Sequence, residues 1–480
     1  MVPSSALSAA PAAAHTEVRG RGTNNRIQSR VATALPASRL VAFAAVAVPI
    51  AGAGLPIAVY LPSFYATEFG LSLPLIGLVL LLGRSWDAIS DPLIGALSDR
   101  TRSRFGRRRP WIAVGGVLFG AASAALFFPP SGVGAAYLGG VLFAFYLGWT
   151  MVQIPLLAWS GELSPSYHER TRIATFHQVM NASALLLVLV LPTVVDQIRP
   201  TDARLRLGVM GAFILVTLVP ALVATLTAFP EQPQPPRPRQ RMDFRRAAAL
   251  VFGETLLLRV LASDFAVTVG QTIRGTLIVF FVVHYMGRPA WASGLFLFQF
   301  VFGVFAGPIW LRIGYRFGKH RTAVLGELAQ VAINLGLLCV TPQAMPLLLA
   351  LTLAQGLAQG SGNLMLRSMV ADIADQHRLT AGVDRTGLYF SVFSLSGKSA
   401  TAVAAGIALP LLAWLGFDPK GANDEGALEG LKYVFALGPA IAHLASAALI
   451  YRFGLDEARH REIRAALETR DRTAQRTFAT

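Results

Sequence analysis

Asp87 and Asp91 lie four residues apart inside an apolar run, GRSWDAISDPLIGALSDRTRSRFGRRRPW over 83–111. On a helix of about 3.6 residues per turn, such a pair shares one face, with roughly 40° between the two side chains. Arg84, three residues before Asp87, lies on the same side. A carboxylate at bilayer depth costs about 2.5–3.5 kcal/mol, so this face must look into a cavity or a packed protein interior. The chemistry open to such a pair is the binding of a cation or a proton. An alkali cation takes several oxygens, which two carboxylates and an amide or hydroxyl would supply. A proton needs only one acid. Lys398, in GLYFSVFSLSGKSA, is a third costly charge and is expected to face an acid across the bundle. The plainer alternative is a structural charge network of Arg84, Lys398 and the two acids.

Other polar residues interrupt apolar runs. Gln153, with Trp149 four residues before it, offers a donor and an acceptor for a polyol or an oxygen for a cation. His177 and Gln178 stand together in the next run, where an imidazole titrates near neutral pH or simply closes a hydrogen bond. Arg274 is a candidate substrate contact. Asp264, ten residues earlier and too far to pair with it, is expected to cap or snorkel at a helix end. Asn363 and Arg367 are four apart on one helical face, after Gly356, Gly360 and Gly362, whose small size permits close helix contact. Asp99, Arg102, Arg104, Glu162, Arg170, Arg367, Asp372 and Arg385 flank apolar runs on one side. They are read as an inner gate that forms salt bridges when the site faces the other way, or else as plain topology signals.

The elements that must hold these residues follow from composition. Of 480 residues, 54% are apolar and 14% charged, against about 25% charged in an average soluble domain. Mean hydropathy is +0.53. Repeated apolar runs of about 20 residues indicate an all-α integral membrane protein, and the short alternating segments of a strand barrel are absent. Twelve spans are read at 40–66, 73–98, 110–130, 134–158, 174–197, 206–229, 257–286, 289–314, 321–342, 345–369, 386–415 and 430–453. The net charge of +16 sits in short loops between spans, which sets topology and points away from nucleic acid. Those loops put both termini in the cytoplasm. A single cysteine excludes a disulfide framework or a cysteine metal site, and no phosphate-binding loop occurs. No nucleophile–base pair suggests an enzyme, and no cofactor is expected beyond a coupling ion.

Five segments are expected: a cytoplasmic tail at 1–38, a six-helix bundle at 39–229, a Pro-rich basic linker at 230–256, a second bundle at 257–454 and a tail at 455–480. The first tail, rich in Ala, Ser and Arg, is also compatible with a transit peptide. The halves echo each other. GALSDRTRSRFGRRRP has a shorter counterpart in LRIGYRFGKHR, and Glu169-Arg170-Thr171 parallels Asp384-Arg385-Thr386. Two parallel, pseudo-symmetric six-helix halves around a midplane site are the architecture of the major facilitator superfamily.

Within it, WDAISDPLIGALSDRTRSRFGRRRPW, IPLLAWSGELSPSYHERTR and GLYFSVFSLSGKSA resemble the signature segments of the glycoside–pentoside–hexuronide:cation symporters, the melibiose permease-like family. The resemblance implies cation-coupled symport, by H+ or Na+, of a glycoside, sugar or related small solute across a bacterial inner membrane. It places Asp87 and Asp91 at the coupling cation and Lys398 near the cation and sugar sites. Two positions depart from the family pattern. Gln153 replaces a third carboxylate, and Phe176-His177-Gln178 replaces a span 5 arginine. The loss of an acid favours a proton over sodium. Its partners are then a small solute and the bilayer, with the chain a monomer. The rivals are efflux or lipid movement of amphipathic compounds on the same fold, and a non-transporting receptor or assembly factor.

Overall fold

The structure, a computed structural model, describes residues 35–164, 167–231, 244–383, 385–455 and 457–479. Most of the first expected tail, the centre of the linker and Asp384 lie outside the described residues. All regular elements among the described residues are helical, as an apolar chain in lipid requires, because only a helix closes its backbone hydrogen bonds within one segment.

The first crossing, Ala37–Phe69, is composite: α1 (Ala37–Ala44), α2 (Ala47–Leu55), a π-helical turn over Pro56–Tyr60 and α3 (Leu61–Phe69). Pro56 has no N–H to donate, and the ladder widens where that bond is missing. There follow α4 (Leu73–Arg100), α5 (Arg109–Phe127), α6 (Ala135–Glu162), α7 (Tyr167–Ile198) and α8 (Ala203–Ala228). A short amphipathic helix, α9 (Phe244–Gly253), lies within the segment expected to be linker. The second half is α10 (Thr255–Phe280, extended by a π-helical turn to Tyr285), α11 (Ala292–Phe317), α12 (Lys319–Gly336), α13 (Met345–Ala358), α14 (Ser361–Ala381), α15 (Thr386–Trp414) and α16 (Glu425–Ile450). The segment expected as a C-terminal tail contains α17 (Glu457–Ala479).

Among the described residues, eleven helices are long and apolar enough to cross a membrane. The crossing missing from that count is the tenth in chain order, and it is broken. The span expected as continuous over 345–369 is two helices, because Gly360 takes φ +82° between Ala358 and Ser361. A left-handed residue cannot continue a right-handed helix, and glycine alone takes that conformation without strain. The second piece, α14, then runs to Ala381 and absorbs most of the expected 375–385 loop. Likewise α7 begins at Tyr167, so Glu169 and Arg170 lie on a helix. Asp424 caps α16 by accepting from the Ala427 N–H at 2.7 Å, which starts that helix at Glu425.

Among the described residues, the main contact between the two halves lies toward one side. On the side of the 70–72, 199–202 and 286–291 turns, one apolar core runs through both, from Phe64 and Leu138 to Phe281 and Leu431. Polar contacts also cross there. The Ser293 N–H donates to Asp196 Oδ2 at 2.9 Å, and Gln197 Nε2 donates to the Ala290 carbonyl at 3.0 Å. On the opposite side, which carries the chain ends, a second core belongs to the second half alone and includes Ile463 and Leu467 of α17.

Candidate functional site

The carboxylate pair sits where α4 of the first half meets α15 of the second. Lys398 Nζ is 2.9 Å from Asp87 Oδ2 and makes a closer ion pair with Asp91 Oδ2. Asp87 is buried, with its side chain 4% exposed, whereas Asp91 and Lys398 keep 21% and 27%. Asp91 is therefore the carboxylate an incoming ion meets first. A cavity of about 730 Å3 reaches Asp91 and Lys398 from the side of the chain ends, lined by Ala88, Pro92, Ile154, Ser391 and Leu395. Two carboxylates and one ammonium leave the cluster with one net negative charge.

A residue the sequence reading missed completes the cluster. Thr150 of α6, fully buried, places its hydroxyl 3.1 Å from Asp87 Oδ1 and 3.1 Å from Asp91 Oδ1. One hydroxyl proton serves only one of them at a time. Ser90 backs it at 3.2 Å. Thr150→Val keeps the shape and removes the hydroxyl. A hydrogen bond to a charged group is worth about 1.5–3 kcal/mol, roughly tenfold or more in an equilibrium constant. Gradient-driven uptake is expected to fall by about that factor in vesicles, with equilibrium exchange of solute retained; unchanged accumulation would remove Thr150 from the site.

Gln153 does not join this cluster. It is three residues past Thr150 and only about 60° around the helix from it, yet its side chain reaches the other flank of α6. There it accepts a hydrogen bond from Trp149 Nε1 and lines a separate cavity of about 450 Å3. That cavity lies between α2, α6, α7 and α11, and His177, Gln178 and Asn181 share it with Gln153. Asn181 Nδ2 donates to Gln178 Oε1 at 3.1 Å. The lining contains no Asp, Glu, Lys or Arg. Apolar walls carrying a few amide and imidazole groups are a setting for a neutral polar molecule.

Arg84 makes no ion pair with either acid among the described residues. Its guanidinium lies 5.0 Å over the Tyr146 ring, beside a cavity of about 20 Å3. Arg274 is buried inside the second half, away from the cleft, and donates to Asn334 Oδ1 at 2.7 Å. Asp264, expected at a helix end, is buried, with Oδ2 next to Gly397. Asn363 is exposed, with Nδ2 3.5 Å from Gln271 Oε1.

The following contacts of the expected gate residues, among the described residues, stay within one half. Arg108, buried, bonds Asp99, Glu162 at 3.1 Å and Ser98 Oγ at 2.8 Å, and Arg107 meets Glu162 at 2.7 Å, all within the first half. Arg102 and Arg104 are exposed. Arg170 donates to the Ser164 carbonyl at 2.8 Å. Asp372, grouped with Arg367 in the expected gate, pairs with Lys319 at 2.7 Å and His460 of α17 at 3.2 Å. Arg367 lies 5.9 Å over the Phe390 ring, and Arg385 sits at the N-cap of α15. Each of these contacts stays inside one half, as it must while the cleft is open on this side.

A model of the family described as MFS/sugar transport protein matches residues 42–457. The chain belongs to that family. It is similar to an uncharacterised symporter of Synechocystis, sll1374, with 25% identity over 86% of this chain and 93% of that protein. It is similar also to the isoprimeverose transporter of Lactiplantibacillus pentosus, with 22% identity over 84% and 85%. The fold resembles that of the nucleoside transporter NupG, with a TM-score of 0.65 and 11% identity over 86% of this chain and 98% of that one. Family and fold make the chain a multi-pass membrane transporter rather than an enzyme.

Proposed function

We propose that this protein is a proton-coupled symporter for a neutral, glycoside-type solute in a bacterial cytoplasmic membrane, with both termini cytoplasmic and the cleft drawn here open inward. The observation that carries the reading is the Asp87–Asp91–Lys398 cluster, which joins the two halves at the floor of that cleft. Moving one half against the other must change how this cluster is neutralised, and that links ion occupancy to access. The single missing positive charge matches one monovalent ion per cycle. The ammonium of Lys398 already occupies the oxygen-lined space between the acids, where a sodium ion would have to sit. Among the described residues no third acid stands beside the pair, and Gln153 faces elsewhere. A proton needs no seat of its own, only one free carboxylate oxygen. The uncharged cavity around Gln153, His177 and Gln178 favours neutral polyols over hexuronates.

The deciding experiment is uptake into proteoliposomes of neutral glycosides, pentoses, hexuronates and lysolipids. A pH gradient without sodium is compared with a sodium gradient at clamped pH. Accumulation of a neutral sugar under the pH gradient is the expected result. Drive by sodium alone refutes proton coupling, and movement of lysolipids alone supports the amphipath reading instead.

A further inference from the structure

We propose that Glu327 and His443, inside the second half, form a second proton-binding site whose occupancy is read by the break in the tenth crossing. Glu327 lies on α12 and His443 on α16, and both are 1% exposed. His443 Nδ1 is 2.5 Å from Glu327 Oε2. Two lone pairs do not approach so closely, so a proton lies between these atoms. With that proton alone, a neutral imidazole donates to a carboxylate and the pair carries one negative charge. One further proton makes it neutral. Two hydrophobic side chains would hold α12 to α16 at less cost than a buried pair of this kind, so packing alone does not explain it.

Its surroundings supply one. The other carboxylate oxygen, Glu327 Oε1, occupies the place that a Cβ on Gly362 would take. Gly362 is in the first turn of α14, two residues after Gly360, the left-handed residue that breaks the crossing. The first N–H groups of a helix have no partner within it, and that end favours a negative charge. An anionic Glu327 is therefore attracted to the start of α14, and a neutral one weakens that attraction. The residue after Gly362, Asn363, is exposed.

The other charges around the pair are few. Arg274 of α10 donates to Asn334 Oδ1 at 2.7 Å, and Asn334 Nδ2 donates to the Gln330 carbonyl at 2.7 Å, along the same side of α12 as Glu327. Asp264 of α10 abuts Gly397 on α15. Sequence positions 292–311 of α11 and 345–358 of α13 contain no ionisable residue. On α14 the nearest is Arg367, over Phe390, and Lys398 of α15 is engaged with Asp87 and Asp91. Lys432 of α16 pairs with Glu429 toward the opposite end. The pair is thus separate from the carboxylate cluster at α4 and α15.

The test uses the full-length protein in lipid nanodiscs, with Cys339→Ser and spin labels on Leu347→Cys of α13 and Val383→Cys after α14. Pulsed dipolar spectroscopy reads the distance across the break as pH is varied, and infrared difference spectra read protonated carboxyl groups in the same samples. The expected result is a pH-dependent shift of the distance distribution that persists in Asp87→Asn and Asp91→Asn. Glu327→Gln, or Gly362→Ala where that variant fails to fold, should remove the shift. A distance independent of pH in the parent protein overturns the proposal. So does a shift that survives in the Glu327 variant or is lost in the Asp91 variant. The second and third of these leave the assignment of Asp87 and Asp91 to the coupling ion open to its own uptake test, so the two readings fail separately.

Discussion

Replacing Lys398 with alanine is expected to abolish concentrative uptake and to lower stability together. Lys398 is the cation that reaches both Asp87 and Asp91. Without it the cluster carries two negative charges, one of them on a side chain only 4% exposed. Removing one partner of a buried ion pair costs about 3–5 kcal/mol, because the remaining charge is stranded. The second mutation of a cycle sharpens the test. Lys398→Ala with Asp87→Asn restores the original charge count, so its melting temperature should recover toward the parent value, while coupling stays lost. Asp87→Asn and Asp91→Asn alone should keep solute exchange and lose accumulation. Lys398→Arg should rescue stability better than coupling, since a planar guanidinium does not fill the place of a compact ammonium. Uptake in inverted and right-side-out vesicles, with thermal unfolding in parallel, measures both effects. Normal accumulation by Lys398→Ala would show the cluster to be a structural clasp.

Much of the architecture was legible because lipid enforces it. A run of about 20 apolar residues has one way to satisfy its backbone, and the spacing of Asp87 and Asp91 fixed their shared face before any tertiary contact was known. What the sequence did not disclose depends on how one helix is rotated against another. Thr150 meets the acids and Gln153 does not, although both sit in one turn of α6 and Gln153 is the more conspicuous residue. Nothing local says which face of α6 turns toward α4. The same holds for Glu327 and His443, 116 positions apart and each unremarkable in its own span. Gly360 is a different case. Glycines in membrane helices are commonly packing residues, and only the backbone angle distinguishes the one that breaks the crossing. The gate residues mark a different limit. Their bridges between the halves were expected when the site faces the other way, and the form described here is open on their side. In this form Arg108 lies on Ser98, Asp99 and Glu162 of its own half.

Asp196→Ala is expected to have the largest effect on the closed side of the molecule. Asp196 is fully buried and uses both carboxylate oxygens. Oδ1 accepts from Arg206 Nε at 2.5 Å, which ties α7 to α8 within the first half. Oδ2 accepts from the Ser293 N–H at the start of α11 at 2.9 Å, which ties the first half to the second. Arg206 is itself 6% exposed and has the Pro200 carbonyl as its other partner, at 2.8 Å. Alanine thus strands a buried guanidinium, at a cost of about 3–5 kcal/mol, and also leaves the Ser293 N–H without its acceptor. The two losses are separable. Asp196→Asn removes the charge but keeps an oxygen for Ser293, so it should be destabilised through Arg206 while the contact between the halves survives. Asp196→Ala should lose both. Its cleft should then open more often on the side of the 199–202 turn, and a cysteine placed at Tyr60, buried under this contact, should react with a membrane-impermeant maleimide faster than in the Asn variant. Equal labelling of the two variants, with equal loss of thermal stability, would mean that the Ser293 contact contributes nothing to closure and that Asp196 acts only as the partner of Arg206.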